Sequence, residues 1–180
     1  KNLGNFITLP QLFSGEHDKL EQAYSPMTVR FFILQAHYRG TLDFSNEALQ
    51  ASGKALKRVL AAAKDLYAMA GRKAPAYAYG EQPESVAPDV CKADSADVKK
   101  IFDGVYEALC DDINTPVALS HIFDAVRVVN TANEQKLSLS ANDMEVLCQV
   151  FDDIVFGVLG LRDEDNGGGK AMETIGGLMQ

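Results

Sequence analysis

The sequence contains 180 residues, of which 47% are hydrophobic, enough for a core in one domain or in one large and one partial domain. Its net charge of −8 and pI of about 4.8 argue against a generally basic nucleic-acid-binding protein, but not against a local basic patch. No apolar run approaches the ~20 residues of a membrane span and no signal peptide opens the chain, so we expect no membrane association.

The cysteines and histidines are few and widely spaced, at positions Cys91, Cys110, Cys148, His17, His37 and His121. No CxxC pair and no metal-ligand spacing occurs among them. We therefore expect reduced thiols in a cytoplasmic protein, and no metal site.

The N-terminal part of the chain predicts short elements. Gly4 and Asn5 favour a turn, and residues 6–8 then form an extended segment or a strand. Leu9 to Tyr24 predict a short helix or loop, with Gly15 as a breaker.

A second helix is predicted from Met27 to about Tyr38. Apolar residues lie on both of its sides, so we expect deep burial, including that of Ile33. His37 and Arg39 lie at its end, where cations complement the helix dipole.

Polar residues mark where helices begin. A hydroxyl at the N-cap accepts a hydrogen bond from a backbone N–H of the first turn. The predicted N-caps are Ser25, Ser45, Ser95, Thr115 and Ser140. Pro116 suits the first turn after Thr115, and Asp143 stands in the capping-box position after Ser140.

The longest predicted helix runs to about Ala70 and stops before Gly71. One side is apolar, and the other carries a basic face that consists of Lys54, Lys57, Arg58 and Lys64. A solvated lysine face is the commoner explanation of such a pattern. The alternative is contact with nucleic-acid phosphates, which requires cations but no base-specific groups.

The C-terminal half predicts three more helices. Residues 72–94 form a linker rich in Pro, Ala and Tyr, and a helix follows it. The next helix, to about Asn130, has a solvated back on which Asp124 can pair with Arg127. The last helix ends at Gly160.

Acidic residues near the end of the chain are most simply solvated charges. They are Asp152, Asp153 and the run 163–165. The glycine-rich residues 162–180 predict a mobile tail. Because no alternating β pattern appears beyond the start of the chain, we predict an all-α fold, a helical bundle.

Four sequence motifs resemble one family in their order and spacing. They are KNLGNF at residues 1–6, RFFILQAHYRG at 30–40, DDINTP at 111–116 and FDAVRVVN at 123–130. Together they resemble the cysteinyl-tRNA synthetases, which are class I aminoacyl-tRNA synthetases. Ile113 stands where that family usually has an aromatic residue, and Asp124 to Arg127 read DAVR in place of DALR.

The resemblance implies a division of the chain and a set of roles. Residues 1–44 would end a catalytic domain, and 45–161 would form a DALR-type anticodon-binding bundle. Lys1 would be the second lysine of the KMSKS motif, a catalytic residue at the phosphates of ATP. The candidates for tRNA binding are His37, Arg39, Lys54, Lys57, Arg58, Lys64 and Arg127.

The resemblance also implies the chemistry of a longer parent enzyme. That enzyme would activate cysteine with ATP and Mg²⁺, carry a zinc ion, and transfer cysteine to tRNA(Cys) in the cytoplasm. The 180 residues would be inactive alone, bind no cofactor and no DNA, and lack the small module that reads the anticodon. Two alternatives remain: the helical domain of another class I synthetase, and an all-α protein-interaction module.

Overall fold

The computed structural model describes residues 7–42, 44–73 and 91–164. These residues form six α-helices and one π-helical segment, and no strand occurs among them. The helices are α1 (Leu9–Ser14), α2 (Pro26–Leu34), α3 (Asn46–Met69), α4 (Ala96–Cys110), α5 (Thr115–Asn133) and α6 (Ala141–Gln149), and the π-helical segment is Val150–Val158. The predicted all-α fold is confirmed.

The helix starts follow from the capping residues. The side chains of Ser25, Ser45, Ser95 and Ser140 each accept a backbone hydrogen bond from the first turn of the helix that follows, as predicted. The prediction for α5 was wrong by one residue. Asn114 is the N-cap, its side chain accepts from the N–H of Val117, and Thr115 is already helical.

The second helix is shorter than predicted. It ends at Leu34 rather than near Tyr38, and residues 37–40 form a turn closed by the N–H of Gly40 on the carbonyl of His37. Phe31 is fully buried, but Ile33 is 47% exposed, so burial is confined to one part of the helix surface. Because the helix ends early, residues 37–39 lie in a turn, and their side chains do not follow helical spacing.

The main core lies between α3, α4, α5, α6 and the π-helical segment, and α2 contributes Phe31 to it. α4 packs chiefly on α5, and α3 packs on α2 and α5. A smaller apolar cluster joins α1, α2 and the start of α3 through Leu12, Val29, Phe32 and Leu49. Because α2 contributes to both clusters, it ties the N-terminal residues to the bundle.

Asp152, Asp153 and Glu164 make specific contacts, so the prediction of solvated charges was wrong for them, while Asp165 lies outside the described residues. Asp152 accepts the hydroxyl of Tyr67 and pairs with Arg72, and Asp153 accepts the hydroxyl of Tyr106. Burial raises the pKa of both carboxyls. Within the run 163–165, Glu164 accepts the backbone N–H of Met27 at 2.9 Å. The contacts of Asp152 and Asp153 fix the π-helical segment against α3 and α4. The contact of Glu164 fixes the residues after that segment to α2.

Hydrogen bonds join the N-termini of α4 and α6. One carboxylate oxygen of Asp143 accepts the backbone N–H groups of Asp94 and Ser95, both at 2.9 Å. The carboxylate of Asp94 accepts the hydroxyl of Ser140 at 2.6 Å and the amide of Asn142 at 3.2 Å. Asp143 stands at the predicted position, where its N–H donates to the Ser140 hydroxyl at 3.0 Å, but its carboxylate accepts from the start of α4 instead of completing a capping box.

Two regions predicted from the sequence lie partly outside the described residues. Of the proposed N-terminal strand only residues 7 and 8 are described, and Thr8 is the N-cap of α1. Residues 1–6, the linker residues 74–90 and the tail residues 165–180 lie outside that part of the chain.

Two glycines in the left-handed region allow a comparison of substitutions. Gly15 has φ +75°, and an added Cβ would lie 2.7 Å from the backbone nitrogen of Ala23. Gly71 has φ +64° with open space around it. We expect Gly15→Ala to lower the free energy of unfolding by roughly 2–4 kcal/mol and Gly71→Ala by only about 1 kcal/mol. Urea denaturation measures both, and equal losses would show that Ala23 accommodates the methyl group.

The contact between α4 and α6 predicts how the fold responds to acid. Hydrogen bonds from Ser140 and Asn142 lower the pKa of Asp94 from its ordinary value of 3.8. The stability that this lowering contributes is complete above the ordinary pKa and is lost as the pH falls through the lowered one. Below about pH 4, the free energy of unfolding should therefore fall less steeply in Asp94→Asn than in the wild type.

A matched variant separates this effect from general charge removal. Asp97 lies exposed in the first turn of α4, one turn from Asp94, and its side chain makes no hydrogen bond or ion pair within the described residues. Asp97→Asn should therefore follow the wild type more closely in urea denaturation between pH 5 and pH 2.5. Identical behaviour of the two variants would contradict the assignment.

Candidate nucleic-acid interface

The basic face of α3 is exposed and unneutralised. Lys54, Lys57, Arg58 and Lys64 follow helical spacing and are all exposed. None of the ion pairs formed within the described residues involves any of them. Lys54 and Lys64 are ten positions apart, which at a rise of 1.5 Å per residue gives the face a length of about 15 Å.

The opposite side of α3 explains why the cations point outward. Leu56, Val59 and Ala63 are buried in the main core, so the helix cannot rotate without exposing them. Asp65, next to Lys64, accepts the side-chain amide of Asn133 on α5. This acid is therefore engaged by α5, while the basic face meets solvent.

The second group of candidates lies in the turn after α2, where it meets the turn between α4 and α5. The hydroxyl of Tyr38 donates to Asp112 at 2.7 Å, and Arg39 Nη2 lies 3.0 Å from the second carboxylate oxygen. His37 Nε2 lies 4.0 Å from that same oxygen. We call His37, Tyr38, Arg39 and Asp112 the Asp112 cluster. It joins two of the sequence motifs across 74 positions.

The three side chains from the turn are also ordered by one another. The His37 and Tyr38 rings stack at 4.8 Å, and Arg39 Cζ lies 5.3 Å from the centre of the Tyr38 ring. Arg39 Nε donates to the Tyr38 hydroxyl at 2.9 Å. The hydrogen bond to the Asp112 carboxylate raises the pKa of Tyr38.

The charge of the Asp112 cluster makes it a weaker phosphate site than the basic face. Arg39 is exposed, with 69% of its side chain accessible, but Asp112 already neutralises it. Arg127 is similar, because it pairs with Asp124 at 3.0 Å as predicted. Within the described residues, the four cations on α3 thus differ from the candidates that have acidic partners.

The turn that carries Asp112 has an unusual backbone. Asp112 and Ile113 have φ angles of +56° and +52°, a region that a β-branched residue rarely enters. Such a conformation carries strain of roughly 1–2 kcal/mol per residue. Ile113 is also 63% exposed, so no burial compensates for its strain.

Backbone hydrogen bonds hold that turn in place. The N–H of Asn114 donates to the carbonyl of Ala108, and the N–H of Ile113 donates to that of Leu109. Asn114 thus closes the end of α4 while its side chain caps α5. Sequence reasoning missed Asp112 as a site residue, although the paired acids before Asn114 were a visible signal.

A groove of about 690 Å³ lies between α4 and α5. The His121 ring packs on Gly104 in this groove, and its Nδ1 is buried without a hydrogen-bond partner among the described residues. Lys99 and Asp103 pair at the rim. No arrangement of nucleophile, base and oxyanion donors is present there.

The described residues offer neither a metal site nor a membrane span. No group of three or more His, Cys, Asp or Glu side chains there could hold a metal ion. None of the helices in that part of the chain is both long and apolar enough to cross a membrane. Cys91, Cys110 and Cys148 are free thiols, and burial raises the pKa of Cys148 to about 11.

Comparison with known proteins identifies both a domain and relatives. The DALR domain family matches residues 104–161. The chain is 43% identical to a cysteine--tRNA ligase of Parabacteroides distasonis, over 98% of this chain and 32% of the relative. Proteins with the same name from Bacteroides thetaiotaomicron and Porphyromonas gingivalis are 42% and 40% identical, over 91% and 99% of this chain and 30% and 33% of their own lengths.

The helical bundle and the matched region together define a protein with a DALR domain, formed here by α4 from Gly104 onward, α5, α6 and the π-helical segment. Over nearly its whole length the chain is similar to proteins named cysteine--tRNA ligase, and it spans about a third of the length of these curated relatives. The predicted resemblance is confirmed, and the relationship argues against a chance origin of the motifs.

Proposed function

We propose that this chain is part of a cysteine--tRNA ligase, an enzyme that activates cysteine with ATP and transfers it to tRNA(Cys). The support is the identity of 40–43% to proteins of that name over 98–99% of the chain. The part described here would contribute tRNA binding in the cytoplasm, and would not activate cysteine by itself. ATP, Mg²⁺ and zinc would belong to the remainder of the enzyme.

The basic face of α3 is the observation that carries the tRNA-binding role. Phosphate recognition requires accessible cations that are not already paired with carboxylates. Lys54, Lys57, Arg58 and Lys64 meet this requirement on a chain whose net charge is −8. A helix with a buried opposite side holds them at fixed spacing, which suits a phosphate backbone better than a mobile loop would.

The other candidate residues have different roles in this proposal. Arg39 keeps several guanidinium donors beyond those used within the Asp112 cluster and can extend the surface, as can His37 and Arg127. Lys1 lies outside the described residues, and its proposed role at the ATP phosphates rests on the KNLGNF motif. The division into residues 1–44 and 45–161 is likewise proposed from the resemblance.

The direct test of the function uses a full-length enzyme that contains this chain. Purified protein should catalyse cysteine-dependent ATP–pyrophosphate exchange and should charge tRNA(Cys) with cysteine. The isolated 180 residues should bind tRNA(Cys) but show no exchange. Charging of a different tRNA with a different amino acid would refute the proposal.

The basic face predicts the salt dependence of RNA binding. Replacing its four cations by glutamine should reduce the slope of log affinity against log salt by about 3, because each phosphate contact contributes roughly 0.7–0.9. The expected loss applies to any tRNA sequence, since phosphates carry no base code. Filter binding of tRNA(Cys) at 50–300 mM salt measures the slope.

A control with the same change in net charge removes four exposed lysines that lie off α3: Lys92, Lys99, Lys100 and Lys136. This variant should keep most of the wild-type slope. An equal reduction in the two variants would mean that only overall charge matters, and the basic face would be an ordinary solvated surface.

A further inference from the structure

The contact between the turn after α2 and the turn before α5 is polar, directional and made by one acid. Asp112 receives groups from three consecutive residues, His37, Tyr38 and Arg39. Few other contacts lie nearby, because Tyr38 and Ile113 are both more than 60% exposed. The registry between these two turns therefore depends on polar groups and not on a packed apolar interface.

The orientation of the His37 ring fits this arrangement. Its Nδ1 accepts the backbone N–H of Arg39 at 3.3 Å, so the proton of the neutral ring lies on Nε2. Nε2 is the nitrogen that faces Asp112, at 4.0 Å. The turn of residues 37–39 is thus organised internally to present three donors to one carboxylate.

The backbone at Asp112 serves the same contact. The left-handed conformation of Asp112 and Ile113 lets one short turn end α4 and start α5 while Asp112 reaches the turn after α2. An exposed isoleucine in that conformation gains nothing for the fold by itself. We attribute the backbone strain at Asp112 and Ile113 to the geometry that Asp112 needs to reach Tyr38 and Arg39.

We propose that Asp112 is a positioning residue for the transfer of cysteine to tRNA, which holds residues 37–39 in fixed registry with the N-terminus of α5. This inference rests on the proposed function and assigns to the Asp112 cluster a role in the tRNA-dependent step. The N-terminal residues and the DALR domain then carry a bound tRNA as one rigid unit. The cluster touches neither ATP nor cysteine in this proposal, so amino-acid activation does not depend on it.

The test compares two isosteric substitutions in the same turn of the full-length enzyme. Asp112→Asn removes the charge that holds Arg39, and asparagine tolerates a positive φ, so the turn is kept. Asp111→Asn removes the same charge from the adjacent exposed residue, which has no hydrogen bond or ion pair through its side chain within the described part of the chain. Both variants are checked for folding by their melting temperature, which we expect to fall at most slightly because an exposed ion pair contributes little to stability.

Asp112→Asn should reduce kcat/KM for tRNA(Cys) in charging by about tenfold, comparable with the loss of one charged hydrogen bond. Cysteine-dependent ATP–pyrophosphate exchange should stay within about twofold of the wild type. Asp111→Asn should be near the wild type in both assays. The ratio of wild type to Asp112→Asn in charging should shrink at high salt, because the exposed Arg39–Asp112 pair is screened.

The outcomes separate this inference from the proposed function. If the wild type charges tRNA(Cys) but Asp112→Asn charges it as well as Asp111→Asn does, the positioning role is refuted and the function stands. If exchange, charging and melting temperature all fall together in Asp112→Asn, the residue is merely structural, which also refutes the inference. A wild type that charges no tRNA(Cys) refutes both.

Discussion

A single carboxylate joins the turn after α2 to the turn before α5, and the large side chains Tyr38 and Ile113 of these turns face solvent. Asp112 accepts the Tyr38 hydroxyl and pairs with Arg39, in a region where the neighbouring apolar side chains face solvent. The main core between α3, α4 and α5 contains no side chain from residues 37–39. The orientation of that turn therefore depends on Asp112, and the left-handed backbone that carries Asp112 depends on the caps made by Asn114.

Charged side chains serve different purposes on the basic face of α3 and in the Asp112 cluster. On α3 the cations are exposed and have no acidic partner in the part of the chain that the structure describes, which suits long-range attraction of a polyanion to an otherwise acidic protein. At the Asp112 cluster the cation is paired, so it contributes orientation more than net attraction. Asp152 and Asp153 show a third use of charge, as acceptors for tyrosine hydroxyls that fix the π-helical segment to α3 and α4.

The sequence alone predicted most helices because caps and periodicity are local signals. The sequence directly indicated four N-caps: Ser25, Ser45, Ser95 and Ser140. It also indicated where two helices end, at Gly71 and Gly160. Contacts between distant residues could not be read in this way. The partners of Asp112, Asp143 and Asp152 come from other helices, so these acids resembled solvated charges or local caps. His37 and Arg39 were named as candidate site residues, but their neighbour Tyr38 and their acidic partner Asp112 were not.

A double-mutant cycle between Arg39 and Asp112 tests most directly whether this pair links the two turns. Arg39→Gln, Asp112→Asn and the double variant of the 180-residue chain would be unfolded in urea at low salt. We expect a coupling free energy of about 0.5–1 kcal/mol, the range of well-formed exposed ion pairs, and a value near zero for the matched cycle of Arg39 with Asp111. A coupling between Arg39 and Asp112 that cannot be distinguished from that of the matched cycle would contradict the account.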